Sequence, residues 1–161
     1  MNKKIKNATV CRTEDITFKS TLEKTLYTVL KENFEDVRYE PTKYCIVDSF
    51  ISRVPFYDRE TDSQYKRRKK SGDTSPRKLV LKSPKVKGIT YTPDFCFTYK
   101  DLNVYIEAKG VENDVFPYKK KLFIRYLNSL PGNHIYFEIY TKTQLLQAIE
   151  IIKSYESASE D

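Results

Sequence analysis

The stretch YTPDFCFTYKDLNVYIEAKG, residues 91 to 110, decides the fold of this chain because it joins two short apolar segments that carry three charged side chains. In the second segment, from Val104 to Lys109, side chains alternate with the two-residue period of a β-strand. Glu107 and Lys109 therefore share one face of the predicted strand. Charged residues are rarely buried unless they are paired, so this face is a candidate functional site.

The first segment, residues 92 to 98, alternates in the same way. It places Asp94 and Cys96 on one face and Phe95 and Phe97 on the opposite face. Residues 100 to 103 lie between the two segments and are predicted to form the turn of a hairpin. We therefore expect Asp94 and Glu107 to lie close together on neighbouring strands.

Two carboxylates with open positions suit a hard cation such as Mg²⁺, which keeps several waters and takes phosphate oxygens as further ligands. Lys109 follows Glu107 on the same face. Its ammonium is placed there to hold a water for in-line attack on phosphorus and to stabilise the charge that develops. The alternative is that Glu107 and Lys109 form the solvated face of an ordinary strand, because an isolated Glu-x-Lys pattern has little specificity.

Pro93-Asp94 followed by Glu107-Ala108-Lys109 resembles the signature of the PD-(D/E)XK nuclease superfamily. Within that superfamily the chain is similar to phage-type endonuclease I, a Holliday-junction resolvase. The likeness covers residues 18 to 140 in patches, and its motifs are short. Four segments carry it in the same order: Phe18 to Glu23, Tyr91 to Phe95, Glu107 to Gly110 and Lys119 to Arg125.

The resemblance implies a restriction-endonuclease-like core and a Mg²⁺-dependent endonuclease that hydrolyses branched DNA, with Mn²⁺ as a substitute ion. It implies that Asp94, Glu107, Glu23 and the main-chain carbonyl of Ala108 hold the metal, and that Lys109 orients the attacking water. It also implies a homodimer in the cytoplasm, which is the host cytoplasm if a phage encodes the protein. A long insertion from Tyr57 to Lys78 departs from the family and leaves the dimer geometry open.

Glu23 has two interpretations. Ser20-Thr-Leu-Glu23 is a capping box, in which the glutamate closes the N-terminus of a helix, and the sequence alone favours this role. The resemblance instead implies that Glu23 is a third carboxylate of the metal site.

Composition agrees with one folded domain that binds a polyanion. The 161 residues are 39% hydrophobic, and 29 Lys and Arg exceed 22 Asp and Glu, which gives a net charge of +7. No apolar run has the length of a membrane helix and the N-terminus lacks the apolar core of a signal peptide, so we expect a cytoplasmic protein. Cys11, Cys45 and Cys96 are too scattered for a zinc site. Cys45 and Cys96 are predicted core residues, and His134 a structural or surface residue.

The order of predicted elements is helix, strands, helix, strand and helix, which indicates an α/β or α+β sandwich with a mixed central sheet flanked by helices. In the second helix, Leu122, Tyr126 and Leu130 are expected to face inward. An N-terminal arm at residues 1 to 15 and a tail at residues 154 to 161 are expected to be loose. The elements are helices over 18 to 33, 117 to 127 and 143 to 152, and strands over 34 to 41, 44 to 51, 92 to 98, 104 to 109 and 134 to 140.

Two basic clusters are candidate DNA contacts. One follows the predicted site on the second helix, where its members are placed to bind flanking phosphates, and the other lies in the 57 to 78 insertion. Either cluster is alternatively an ordinary solvated surface, and the insertion a mobile loop. The candidate residues are Lys119, Lys120, Lys121 and Arg125 in the first cluster, and Lys66, Arg67, Arg68, Lys69 and Lys70 in the second.

Other functions remain open on the same residues. Phe34 to Pro41, followed by Pro-Asp and Glu-x-Lys, is also similar to the nuclease subunit of heteromeric transposases, which nicks DNA with a partner protein. A non-catalytic DNA-binding module on the same fold is a different class, and an RNA-processing nuclease or a nucleic-acid-binding inhibitor is a third.

Overall fold

The computed structural model describes residues 9–13, 15–110 and 115–156, which form a mixed α and β structure with a mixed sheet. The described residues divide into two compact units, one from residues up to 46 and from 90 onward, the other over Val47–Ile89. The helices are α1 (Thr21–Asn33), α2 (Asp62–Lys70), α3 (Phe116–Leu127) and α4 (Lys142–Lys153). The strands are β1 (Cys11–Arg12), β2 (Thr17–Phe18), β3 (Arg38–Tyr39), β4 (Tyr44–Val47), β5 (Phe50–Ile51), β6 (Tyr57–Arg59), β7 (Leu79–Leu81), β8 (Lys85–Val86), β9 (Ile89–Tyr91), β10 (Phe95–Tyr99), β11 (Leu102–Ala108) and β12 (Asn133–Ile139).

The central sheet has four strands in the order β12, β11, β10, β3. β10 and β11 form the predicted antiparallel hairpin, in which Phe95 pairs with Ile106 and Tyr99 pairs with Leu102. The turn is shorter than predicted, because only residues 100 and 101 lie between the strands and Lys100 takes the left-handed conformation with φ of 54°. β12 lies parallel to β11, so the sheet is mixed as predicted.

The two faces of the sheet carry two separate apolar clusters, as the alternation predicts. Phe95, Phe97 and Ile106 point to the face that α1 and α4 cover. Cys96 and Tyr105 belong to the cluster that α3 covers on the other face. Glu107, two residues after Tyr105 on β11, therefore lies on the face of the sheet that α3 covers.

The inward face of α3 overlaps only in part with the predicted one. Phe123 and Leu127 are buried in the cluster, Tyr126 and Leu130 are half-buried and pack against it as predicted, and Leu122 is half-buried. Apolar residues occupy most positions from 122 to 127, so the helical period in this segment does not single out one face.

Several predicted strands are shorter than expected. The segment 34 to 41 contains only β3, because Asp36 and Glu40 have positive φ and interrupt the extended backbone. The segment 44 to 51 divides into β4 and β5, which pair with β9 and β8 respectively. The strand predicted over 134 to 140 is β12, which is half-buried rather than buried because it is an edge of the central sheet.

The second unit contains strands and a helix where a loop was predicted. β6 pairs with β7, and α2 begins with a capping box formed by Thr61 and Gln64. Arg68 pairs with the carboxylate of Glu60, the only buried residue among those described in this unit. A polar network and a helix cap therefore give order to a segment that its lack of apolar residues led us to predict as a loop.

The two chain ends are described only in part. Cys11–Arg12 pairs with Thr17–Phe18, so part of the predicted arm is a short strand, while residues 1–8 and 14 lie outside the described residues. In the predicted tail, the Tyr155 carbonyl accepts a hydrogen bond of 2.7 Å from Lys100 Nζ, and residues 157–161 lie outside the description. Among the described helices, none is long and apolar enough to cross a membrane.

Candidate active site

Asp94 and Glu107 lie next to each other at one end of the central hairpin. Asp94 directly precedes β10, and the pairing of Phe95 with Ile106 places Asp94 opposite Glu107. Both side chains are buried, with exposed fractions of 8% and 6%. Asp94 Oδ2 accepts a hydrogen bond of 2.7 Å from the Ala108 N–H, so the aspartate is held against the end of β11.

Both carboxylate oxygens of Glu107 have partners in the protein. Oε2 accepts a hydrogen bond of 2.6 Å from the Tyr91 hydroxyl, and Oε1 lies 2.5 Å from the Lys109 ammonium. The Lys109 ammonium also lies 3.7 Å from the centre of the Phe116 ring, at the start of α3. The predicted neighbours Glu107 and Lys109 are thus brought together as an almost buried ion pair rather than as a solvated face.

The electrostatics of the site favour a proton or a cation at Asp94. Burial, then the neighbouring charge of Glu107, and to a smaller extent the charge of Glu23, raise the pKa of Asp94 to about 8. The Ala108 N–H and the Lys109 ammonium oppose this rise only in part. A carboxylate that is reluctant to ionise beside two others is stabilised in its charged form by a bound cation.

Glu23 is buried at the start of α1, where it makes the contacts of a helix cap. Ser20 Oγ accepts a hydrogen bond of 3.2 Å from the Glu23 N–H and donates one of 2.9 Å to Glu23 Oε1. Glu23 Oε2 accepts hydrogen bonds from the Tyr39 hydroxyl at 2.6 Å and from the Lys19 N–H at 3.0 Å. Ser20 therefore caps α1, but the Glu23 carboxylate bonds to the Ser20 hydroxyl and the Lys19 N–H rather than to the Ser20 N–H, so the predicted capping box is formed only in part. The charge of Glu23 contributes to the raised pKa of Asp94. The role of Glu23 as a metal ligand stays a prediction.

The Ala108 carbonyl faces the side of β11 on which Asp94 lies. Lys109 N–H donates a hydrogen bond of 2.8 Å to the Ile139 carbonyl on β12. Backbone groups of successive strand residues point to alternate sides, and the N–H and C=O of one residue point the same way. The Ala108 N–H and carbonyl therefore both point away from β12, toward Asp94.

The donor set fits Mg²⁺ better than a softer metal. Within the described ranges, no group of three or more His, Cys, Asp and Glu residues is placed to hold a metal ion. A pair of carboxylates is a sufficient protein contribution for Mg²⁺, which usually keeps several waters. Cys96 is buried, and its burial raises the pKa of the thiol to about 12.

Cys45 and His134, which were also considered from the sequence, are not part of the site formed by Asp94, Glu107 and Lys109. Cys45 is exposed, because Tyr44 and Ile46 on either side of it point to the cluster beneath α3, so its prediction as a core residue is wrong. His134 Nε2 lies 3.0 Å from the Pro131 carbonyl, and its ring stacks on Tyr105, which is the expected structural role.

The basic residues of α3 fall into two groups. Lys120 is paired with Glu138 of β12 at 2.5 Å, and Lys119 Nζ lies 3.4 Å from the Thr90 carbonyl. Lys121 and Arg125 are exposed one helical turn apart. The exposed pair is available to bind phosphate, whereas Lys120 is already committed to a carboxylate.

The basic cluster of α2 divides in the same way. Arg68 contacts Glu60 at 2.7 Å and Asp73 at 3.0 Å, and Lys69 donates to the Thr74 carbonyl at 2.6 Å. Lys66, Arg67 and Lys70 are exposed. Arg68 therefore maintains the structure of the unit, and the exposed three are the candidates for phosphate binding.

Tyr91 and Glu138 contact the site but were not predicted from the sequence. Tyr91 belongs to the same stretch as Asp94, but its contact with Glu107 depends on the path of the chain before Pro93. Glu138 pairs with Glu107 across the parallel β11 and β12 ladder. The alternation of β12 indicates a face for Glu138, but only the register places it beside Glu107.

No match to this chain is found among protein-family models, curated proteins or solved structures.

Proposed function

We propose that this protein is a metal-dependent endonuclease that hydrolyses phosphodiester bonds in DNA. The observation that carries this proposal is the buried pairing of Asp94 and Glu107 at one end of the hairpin, with Lys109 on Glu107. Each carboxylate has one oxygen held by an uncharged protein group, the Ala108 N–H for Asp94 and the Tyr91 hydroxyl for Glu107. The arrangement is preorganised: Asp94 Oδ1 would be a ligand directly, and Glu107 Oε1 would be one in exchange for the Lys109 ammonium that it now pairs with.

The residues divide the chemistry between them. Asp94 Oδ1, Glu107 Oε1 and the Ala108 carbonyl are the groups that would hold Mg²⁺. When bound, the ion supplies charge stabilisation at the phosphate and lowers the pKa of a coordinated water. If Glu107 Oε1 held the ion, the Lys109 ammonium would be released from its ion pair with Glu107. This ammonium would then serve to orient the attacking water and to stabilise the charge that develops on the phosphate.

Binding of the substrate uses the exposed basic residues. Lys121 and Arg125 lie on the helix that begins at Phe116, beside Lys109, so they are close to the site along the chain. Their charges would neutralise phosphates that flank the one being cleaved. The net charge of +7 supports the same polyanionic partner.

The finer proposal is a resolvase of branched DNA. It rests on the resemblance to phage-type endonuclease I, which also implies a restriction-endonuclease-like core, a homodimer and the use of Mn²⁺ in place of Mg²⁺. The spacing of Pro93-Asp94 and Glu107-Ala108-Lys109 on one antiparallel hairpin is what supports it here.

The test is cleavage by purified protein of four-way junctions, flaps, linear duplex and single strands, with Mg²⁺ and with chelator. We expect Mg²⁺-dependent cleavage that is strongest for junctions. Lys109→Ala should lower the cleavage rate by about 100-fold or more, because the group that stabilises developing charge is removed. DNA affinity, measured in chelator, should change little.

Lys142→Ala is the matched control, because Lys142 is an exposed lysine at the start of α4. It should leave the cleavage rate unchanged. Cleavage by Lys109→Ala at the wild-type rate would overturn the assignment. Cleavage that appears only with a second protein would favour the transposase-like nuclease subunit, and DNA binding without cleavage under any condition would favour a non-catalytic module.

A further inference from the structure

A chain of two tyrosine hydroxyls ends on Glu107. The Tyr91 hydroxyl donates to Glu107 Oε2 at 2.6 Å and lies 3.1 Å from the Tyr136 hydroxyl. A hydroxyl has one proton, and Tyr91 gives its proton to the carboxylate. Tyr136 is therefore the donor in the second hydrogen bond, which strengthens the first because successive hydrogen bonds polarise one another.

The surroundings of Tyr91 hold this chain in place. Tyr91 is 5% exposed, and its ring centre lies 4.5 Å from that of Phe123 on α3. Tyr136 belongs to β12, which pairs in register with β11, the strand that carries Glu107.

The hydrogen bond affects how a cation binds to Glu107. Oε2 accepts the Tyr91 hydroxyl, so a cation that binds through Oε1 in place of Lys109 leaves this hydrogen bond intact, whereas a cation that spans both oxygens shares Oε2 with Tyr91. The same applies to Asp94, since its Oδ2 accepts the Ala108 N–H. Ca²⁺ takes six to eight oxygens and often binds both oxygens of a carboxylate. Mg²⁺ requires a small octahedral shell, which it completes with single carboxylate oxygens and waters.

We propose that Tyr91, supported by Tyr136, is a positioning residue that favours binding of a cation through one oxygen of Glu107 and so makes the site select Mg²⁺ over Ca²⁺. This inference rests on the proposed function, because it assumes that Asp94 and Glu107 bind a divalent cation. It assigns to the tyrosine pair a role beyond satisfying a buried carboxylate.

The experiment is calorimetric titration of the full chain with Mg²⁺ and, separately, with Ca²⁺, in the absence of DNA. In Tyr91→Phe, Mg²⁺ affinity should fall by about 10-fold or more, as is usual when a group that orients a metal ligand is lost. Ca²⁺ affinity should fall less or rise, because Oε2 becomes available as a second oxygen. The ratio of the two dissociation constants should therefore shift toward Ca²⁺.

Tyr136→Phe should shift the ratio in the same direction by a smaller factor, because the Tyr91 bond remains but loses its support. This variant also keeps the inference testable if Tyr91→Phe does not fold, which thermal unfolding will reveal. Tyr118→Phe is the matched control, since Tyr118 is 70% exposed on α3, and its ratio should equal that of the wild type.

Two results would overturn the inference in distinguishable ways. An unchanged ratio in folded Tyr91→Phe and Tyr136→Phe, with binding still abolished in Asp94→Asn, means that the hydroxyls only satisfy a buried carboxylate, and the proposed function stands. Absence of Mg²⁺ and Ca²⁺ binding to the wild type, or binding unaffected by Asp94→Asn, overturns the proposed function and the inference together.

Discussion

At the scale of single residues, the site is governed by the cost of burying Asp94 in its charged form. Desolvation and two neighbouring carboxylates raise its pKa to about 8, from about 3.9 for an unstructured aspartate. The folded protein therefore holds a proton on Asp94 over a pH range in which the unfolded chain has released it. Linkage then makes the stability of the metal-free protein depend on pH.

The Asp94 contribution to stability should fall as pH rises. Between about pH 4 and pH 8 the folded state binds more protons at Asp94 than the unfolded state does, so the free energy of unfolding decreases across this window and levels off above it. Asp94→Asn removes this contribution. Its stability relative to the wild type should therefore improve from pH 5 to pH 8, as measured by urea unfolding in chelator.

Glu23→Gln is the second arm of this experiment. It removes one of the charges that raise the pKa of Asp94. The fall in the free energy of unfolding with rising pH should therefore end at a lower pH in Glu23→Gln than in the wild type. A difference between Asp94→Asn and wild type that stays constant from pH 5 to pH 9 would contradict the raised pKa of Asp94.

At the scale of elements, the hairpin β10 and β11 brings the site together and the start of α3 closes it. Phe116 lies against the Lys109 ammonium, and Phe123 packs on Tyr91. In the second unit, α2 depends on ionic contacts instead of apolar ones. Glu60 is 4% exposed and accepts hydrogen bonds from Arg68 and from the Lys78 N–H at 2.7 Å, which ties α2 to the chain that leads into β7.

Loss of the Glu60 charge should loosen α2. Glu60→Gln replaces a charged acceptor of the Arg68 guanidinium by a neutral amide, which leaves a half-buried positive charge without its main partner. Amide hydrogens of α2 should exchange with solvent faster than in the wild type, as measured by hydrogen exchange with mass spectrometry. Amides of α1 and α4 should be unaffected.

Asp58→Asn is the matched control, because Asp58 is an exposed acidic residue on β6 of the same unit. Exchange in α2 should be unchanged in this variant. Equal acceleration in both variants would mean that the net charge of the unit, rather than the Glu60 contact, keeps α2 formed.

At the scale of the whole molecule, the two units differ in how many apolar residues they bury. All the buried hydrophobic residues identified in the described ranges lie outside Val47–Ile89. The two ends of the second unit lie side by side, since a Cβ on Gly88 would come within 2.5 Å of the Val47 carbonyl.

Deletion of residues 49 to 87 should leave a folded protein. The deletion joins Asp48 to Gly88, and an Asp-Gly pair favours a tight two-residue hairpin turn. Thermal unfolding should stay cooperative, because both apolar clusters are retained. Binding of duplex DNA should weaken and depend less on salt, because each phosphate that the protein no longer neutralises lowers the salt slope by about 0.9.

A deletion variant that does not unfold cooperatively would mean that the second unit stabilises the core. Unchanged DNA affinity and salt slope would mean that Lys66, Arg67 and Lys70 do not bind DNA. The two measurements are independent, so each bears on its own prediction.

Local patterns were sufficient to predict the hairpin, the burial sides of β10 and β11, the helices α1, α3 and α4, and the convergence of Asp94, Glu107 and Lys109. These features follow from side-chain period and from contacts between segments that are adjacent in sequence. The same patterns did not identify the phase of α3 or the structure of the second unit. In α3 too many positions are apolar, and in α2 order depends on polar contacts.

Contacts between distant segments required the tertiary structure. Tyr91 contacts Glu107 because of the route of the chain before Pro93, and Tyr136 contacts Tyr91 because of the parallel register of β11 with β12. The same register places Glu138 beside Glu107. Lys120 forms its ion pair with Glu138. The alternation of residues along a strand determines which face of the sheet each side chain occupies. The residue that lies opposite it on the neighbouring strand is set by long-range pairing, which the local alternation does not specify.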